Sequence, residues 1–184
     1  MISVTDLRAG TTFQEDNELF QVISYEHIKM GRGSANIKVK VRNLRSGSVI
    51  EKGYTNGANV DSIRLDNQEM QFLYKDDEAA SFMDPQTFEQ KEIPLKNIPG
   101  YEFLLEGDNY TLQFYDNEPL GIMLPPKITM KIKETAPGVK GNSASNVYKD
   151  AILENGMSIR VPLFIQEGDQ VVVDTRDRSY TKRA

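Results

Sequence analysis

Residues 27–43 read HIKMGRGSANIKVKVRN, and the second half of that stretch decides the fold. From Ile37 to Arg42 apolar and cationic residues alternate, with Ile37, Val39 and Val41 set against Lys38, Lys40 and Arg42. A period of two puts the two sets on opposite faces of a β-strand. The first half places Arg32 between Gly31 and Gly33. Glycine can take φ > 0 and let a chain turn sharply, so a four-residue Met-Gly-Arg-Gly tip would thrust one long side chain away from the sheet. Five of the seventeen residues are Lys or Arg and none is acidic, yet the whole chain carries a net charge of −5.

Outward from this hairpin, strand signals dominate. Short apolar-rich segments recur at LFQVISY (19–25), SVIEKGYT (48–55), MQFLYK (70–75), YTLQFYD (110–116), ITMKIKE (128–134), MSIRVPLFI (157–165) and QVVVDT (170–175). Gly, Asn, Asp or Pro clusters separate them at the spacing of small barrels or sandwiches. One helical pattern, around 94–105, is interrupted by Pro99-Gly100. The pattern predicts a nearly all-β chain of three modules, 1–64, 65–127 and 128–184. EGDNYTLQFYD (106–116) and EGDQVVVDTRD (167–177) begin sixty-one residues apart and hint that the last two modules are alike.

Charge divides at the same places. Residues 1–64 hold nine basic and seven acidic side chains, residues 65–127 four and thirteen, and residues 128–184 nine and seven. The terminal segments are therefore each +2 and the middle one −9, so a polyanion could be touched at both ends while the middle stays away from phosphate. With no cysteine, disulfides, thiolate metal sites and thiol nucleophiles are excluded. With His27 the sole histidine, so is a histidine-rich metal cage. The opening MISVTDLRAG lacks a signal-peptide profile, and no apolar run approaches the roughly 18 residues of a membrane helix. The expectation is a soluble cytoplasmic monomer without metal or other cofactor.

Enzyme signatures are missing: there is no phosphate-binding loop with Lys-Ser/Thr, no zinc spacing and no nucleophile elbow. Asp76-Asp77 reads as a solvated turn and His27 as an exposed strand residue. Lys38, Lys40 and Arg42, with Tyr25 and His27 on the preceding strand, form either a nucleic-acid footprint or a solvated sheet face. The Arg32 guanidinium, with five donors and a permanent charge, suits phosphate or stacking on a base; a generic hairpin turn is the alternative.

Over its full length the sequence resembles bacterial elongation factor P. HIKMGRGSANIKVKVRNLRSG is similar to that family's functional hairpin, and MQFLY and FMDPQTFEQ to its middle module. ETAPGVKGNSAS and KDAILENGMSIRVPLFIQEG (149–168) resemble its C-terminal module. The latter carries the family signature in Lys149, Ala151, Gly156, Ile159, Val161-Pro162, Ile165 and Gly168, which read as turn glycines and core positions.

The resemblance implies an SH3-like (KOW-like) barrel followed by two OB-fold barrels in an L-shaped, tRNA-like arrangement. It implies a non-enzymatic factor that binds the ribosome, both rRNA and ribosomal proteins, between the peptidyl and exit tRNA sites. There it relieves stalls at consecutive prolines by positioning the CCA end of peptidyl-tRNA. On this reading Arg32 is the loop tip and Lys29, Met30, Gly31, Gly33 and Ser34 are its contacts to peptidyl-tRNA. Lys38, Lys40, Arg42 and Arg45 add phosphate attraction, and Gly141, Asn142 and Ser143 face the mRNA codon in the exit site. An arginine-tipped branch of the family is rhamnosylated at the tip, which makes Arg32 a candidate for the same modification by a partner enzyme. Three departures stand out: Gly33 follows the arginine, Met30 replaces a common proline, and Gly-Asn-Ser replaces the usual Gly-Asp-Thr. The rival readings are a free-standing OB-fold RNA-binding protein or RNA chaperone, and a carbohydrate- or protein-binding adaptor using the acidic middle barrel.

Overall fold

The computed structural model describes residues 1–28, 36–137 and 148–184. Three antiparallel-rich sheets account for nearly all regular structure. In the first, β1 (Ile2–Ser3), β2 (Thr12–Glu15), β3 (Glu18–Ile28), β4 (Asn36–Asn43), β5 (Val49–Thr55) and β6 (Asn59–Ser62) run in the order β1-β6-β2-β3-β4-β5. The alternation that opened the sequence is realised on β4. Ile37, Val39 and Val41 are fully buried with Phe13, Phe20 and Val22 from the neighbouring strands, while Lys38 and Lys40 face out. A bulge between Val22 and Ser24 adds one residue to β3, leaving Ile23 unpaired and shifting the face of everything beyond it.

β7 (Asp66–Lys75), β8 (Ala79–Met83), β9 (Gln90–Pro94), β10 (Asn109–Tyr115) and β11 (Glu118–Met123) form the second sheet, in the order β11-β10-β7-β8-β9. Met70, Phe72, Phe82, Ile93 and Leu112 are buried in it. The third sheet contains β12 (Lys127–Thr135), β13 (Tyr148–Leu153), β14 (Ser158–Pro162), β15 (Gln170–Asp174) and β16 (Ser179–Arg183), in the order β14-β13-β12-β15-β16. The second and third sheets therefore repeat one strand order. The EGD echo marks the repeat: each copy precedes the fourth strand of its sheet, with Gly107 and Gly168 both at φ +87°, a left-handed value that glycine adopts without strain.

The chain divides into two compact units, residues 1–99 with 111–122 and residues 100–110 with 123–184. Inside the first unit Leu19, Leu44 and Leu120 form a buried cluster joining the first two sheets, with Ile63, Leu65 and Tyr115 packed against it. Asn97 lies beside it and donates from Nδ2 to the carbonyls of Leu44 and Arg45, both at 3.2 Å. The second unit has its own core of Phe103, Met130, Ile132, Leu153, Val171 and Val173. Ala151, Ile159, Val161 and Ile165 of the signature stretch lie in that core, and Gly156 is a turn glycine at φ +85°.

Two segments differ from the sequence expectation. The helical pattern at 94–105 becomes two single-turn 3-10 helices, Leu95–Asn97 and Tyr101–Phe103. Pro99 and a left-handed Gly100 (φ +84°) part them. The predicted strand at 157–165 ends at Pro162, which pairs with Tyr148; the chain then turns, and the Ile165 amide donates to the Pro162 carbonyl at 3.1 Å.

Candidate nucleic-acid interface

β3 and β4 form a long hairpin whose pairing continues residue for residue beyond the bulge. Tyr25 opposes Val39, Glu26 opposes Lys38, His27 opposes Ile37, and the last described pair is Ile28 with Asn36. Lys29, Met30, Gly31, Arg32, Gly33 and Ser34 lie outside the described residues, as do Gly141, Asn142 and Ser143. What the structure gives is the base on which the tip stands.

That base is less uniformly cationic than its sequence. β5 pairs along the other edge of β4, setting Glu51 opposite Lys40 and Gly53 opposite Lys38. The Lys38 ammonium reaches diagonally to Glu51 Oε1 at 2.9 Å, and that hydrogen bond holds its pKa above the ordinary lysine value. Glu26 adds a second negative charge beside it. Lys40 is exposed and makes no ion pair among the described residues. Arg42 is half-buried and lines a cleft of about 90 Å³ with Asn97 and Gln113.

Arg45 is committed elsewhere. Its Nε donates to both carboxylate oxygens of Glu118 at 3.2 and 3.0 Å, and Nη2 donates to Oε2 at 2.9 Å. Nη1 also donates to the Asn17 carbonyl at 3.2 Å. This bidentate clamp raises the Arg45 pKa and ties the turn after β4 to β11. A phosphate approaching Arg45 must compete with that carboxylate. Sequence spacing carried no sign of Glu51 or Glu118 as partners, because both arrive from other strands.

On the opposite side of the sheet Lys52 pairs with Glu15 Oε2, and the Tyr54 hydroxyl donates to the same oxygen at 3.0 Å. Burial, first, and the Glu15 charge push the Tyr54 phenol far above its ordinary pKa. Lys52 also lies 4.2 Å from the Phe20 ring centroid. This cluster locks β5 against β2 and β3, which stiffens the hairpin's foundation. Among the described residues no group of three or more His, Asp or Glu side chains could hold a metal ion, and no helix is long and apolar enough to cross a membrane.

Three family models match the chain in order: an elongation factor P KOW-like domain over residues 3–60, an elongation factor P OB domain over 65–122, and an elongation factor P C-terminal domain over 128–183. Among solved structures, the chain is similar to a eukaryotic translation initiation factor 5A from Methanococcus jannaschii, at 21% identity and a TM-score of 0.47, covering 66% of this chain and 90% of the other. It is also similar to a translation initiation factor eif-5a family protein from Naegleria fowleri, at 13% identity and a TM-score of 0.45, covering 67% and 94%.

Proposed function

The chain belongs to the elongation factor P family, and from that premise we propose that it binds the ribosome between the peptidyl and exit tRNA sites and promotes peptide-bond formation at consecutive prolines. Arg32 at the hairpin tip contacts the CCA end of peptidyl-tRNA and holds it in a reactive geometry. The ribosome supplies the chemistry, and the factor contributes orientation, which in favourable systems removes on the order of 7–11 kcal/mol of barrier at the upper end.

The observation that carries this reading is the hairpin itself. A two-strand support, with Ile37, Val39 and Val41 of β4 fully buried, continues to the Ile28–Asn36 pair and hands over to the seven residues that contain the Gly-Arg-Gly tip. Lys29, Met30, Gly31, Gly33 and Ser34 shape or flank that contact. Lys40 is the freest phosphate contact on the strand behind it. Lys38, Arg42 and Arg45 act there only in competition with, or in addition to, the neighbours already described.

In this reading the modules run over 1–64, 65–127 and 128–184, the last presenting Gly141, Asn142 and Ser143 to the exit-site codon. The factor works as a cytoplasmic monomer with rRNA, ribosomal proteins, peptidyl-tRNA and mRNA as partners, and Arg32 is the residue a modifying enzyme would extend. Arg32→Ala should fold normally and still sediment with ribosomes, but lose rescue of a polyproline reporter. Full rescue by that variant would overturn the role of Arg32. Intact-mass measurement on protein from its native host tests the sugar: a mass equal to the bare chain rules out constitutive rhamnosylation.

A further inference from the structure

The third sheet carries a groove that the family reading does not use. Its order, β14-β13-β12-β15-β16, closes into a barrel where β14 meets β16. Over that closure lies an open groove of about 570 Å³, inside the roughly 300–1,000 Å³ range of ligand sites. Tyr148, Asp150, Ser158 and Arg160 come from β13 and β14, and Arg178 and Tyr180 from the final hairpin. Register explains their shared direction. Ala151, Leu153, Ile159 and Val161 turn into the core, so their alternates on the same strands turn out.

Three details set this groove apart from an ordinary solvated face. Tyr148 is half exposed, and Tyr180 is half-buried, its ring packed against the core. Arg160 sits across from Asp150 in the ladder but makes no ion pair among the described residues, and it is exposed. Arg178 has φ +59°, a left-handed conformation that is uncommon outside glycine and asparagine. Glu102 Oε1 pairs with its Nη2 and anchors it. Sixty-one residues earlier the corresponding position is Asn117, at φ +65°, the residue type that tolerates this conformation best. The arginine is thus held where asparagine would be less strained.

The second sheet provides an internal contrast. It has the same strand order, yet on its second and third strands Gln90 and Glu92 are exposed opposite a half-buried Met83 and a buried Ser81, with neither tyrosine nor arginine. In barrels of this topology that face and the last hairpin loop are where oligonucleotides lie. Tyrosine faces stack bases of any sequence, and arginine adds phosphate and stacking contacts. We propose that the groove between β13, β14 and the β15–β16 turn binds single-stranded RNA, with Tyr148 as a base platform over a floor made by Tyr180, with Arg160 on the backbone, and with Arg178 reaching it only in competition with Glu102. The choice of RNA over DNA rests on the family reading.

The test is fluorescence anisotropy of labelled rU6 with the full chain. Tyr148→Ala and Arg160→Ala, both at exposed positions, should each weaken binding about tenfold, the range expected from losing one stacked base or one charged contact. Tyr148→Phe should keep binding within about twofold, because the ring face is retained. Lys96→Ala, which removes an exposed cation of the middle module, should leave it unchanged. Equal affinity for wild type, Tyr148→Ala and Arg160→Ala overturns the proposal, as does equal loss in Lys96→Ala. Tighter binding of dT6 than rU6, or displacement by an acidic hexaglutamate peptide, overturns the assignment to RNA. A polyproline reporter run on the same variants separates this site from the hairpin. Rescue with lost rU6 binding in wild type refutes the groove alone, whereas lost rescue with intact rU6 binding refutes the hairpin reading alone.

Discussion

At the scale of single residues, two positions show how closely the first unit is fitted. A Cβ built on Gly47 would stand 2.7 Å from the Lys96 carbonyl oxygen and 2.8 Å from Asn97 Oδ1, and the residue's φ is +72°. Both the backbone conformation and the space demand glycine. Gly47→Ala should therefore destabilise by roughly 1–3 kcal/mol, read as a lower denaturant midpoint at unchanged slope. Asp174 makes the complementary point for charge. Arg176 Nε donates to Oδ1 at 2.9 Å, Nη2 to Oδ2 at 2.5 Å, and the Arg176 amide to Oδ1 at 3.0 Å. The Arg176 side-chain hydrogen bond, first, holds this carboxyl well below the usual carboxylate range. Asp76 and Asp84 are lowered in the same direction by backbone amides of their turns, Ala79 and Glu78 for the former, Gln86 and Thr87 for the latter. A folded-state value below the unfolded one contributes stability that is full above about pH 4 and lost as pH falls further. Stability should thus drop on acidification below about pH 4, and Asp174→Asn should flatten that acid limb. An acid limb unchanged in the variant would refute the assignment.

At the scale of elements, β4 was legible because both of its faces obey one rule. Ile37, Val39 and Val41 meet a core and Lys38 and Lys40 meet water, so alternation alone placed those five side chains. The turns were legible where their chemistry is local: Asp16-Asn17 and Asp116-Asn117 both take positive φ in two-residue hairpin loops, as such pairs favour. Other strands were not legible. β9, QKEIP, buries one side chain, Ile93, and β16, SYTKR, buries none completely, so neither offers an apolar period to read. Their strand state comes from edge pairing with β8 and β15. The cationic stripe was legible in sign but not in strength. Lys38 lost its freedom to Glu51 and Arg45 to Glu118, partners that only the sheet register and the packing of two sheets bring near. If the stripe meets ribosomal RNA, Lys40→Ala should lower the slope of log affinity against log salt by about one. Lys38→Ala should lower it less, since Glu51 is released as the lysine is lost. A larger effect at Lys38 than at Lys40 would contradict this ordering.

At the scale of the whole molecule, the sequence reading of three β modules matches three sheets and three consecutive family matches. The faint EGD echo turned out to mark equivalent turns in two sheets of one topology. Less legible was the joining of the first two sheets. The cluster of Leu19, Leu44 and Leu120 draws one residue from each of three distant segments, and no local pattern announces such a contact. It gives the hairpin a base larger than its own sheet. Truncating Leu44 to alanine should cost roughly 2–5 kcal/mol and weaken the hairpin's support without touching its tip.

The central claim is that this support serves Arg32. Its most direct test is the rate of peptide-bond formation on ribosomes stalled at consecutive prolines, with saturating wild-type protein or Arg32→Ala. Orientation by the tip predicts that the variant, while still bound, loses at least about tenfold of the stimulated rate, or ~1.4 kcal/mol of barrier lowering. Equal stimulation by both proteins would contradict it.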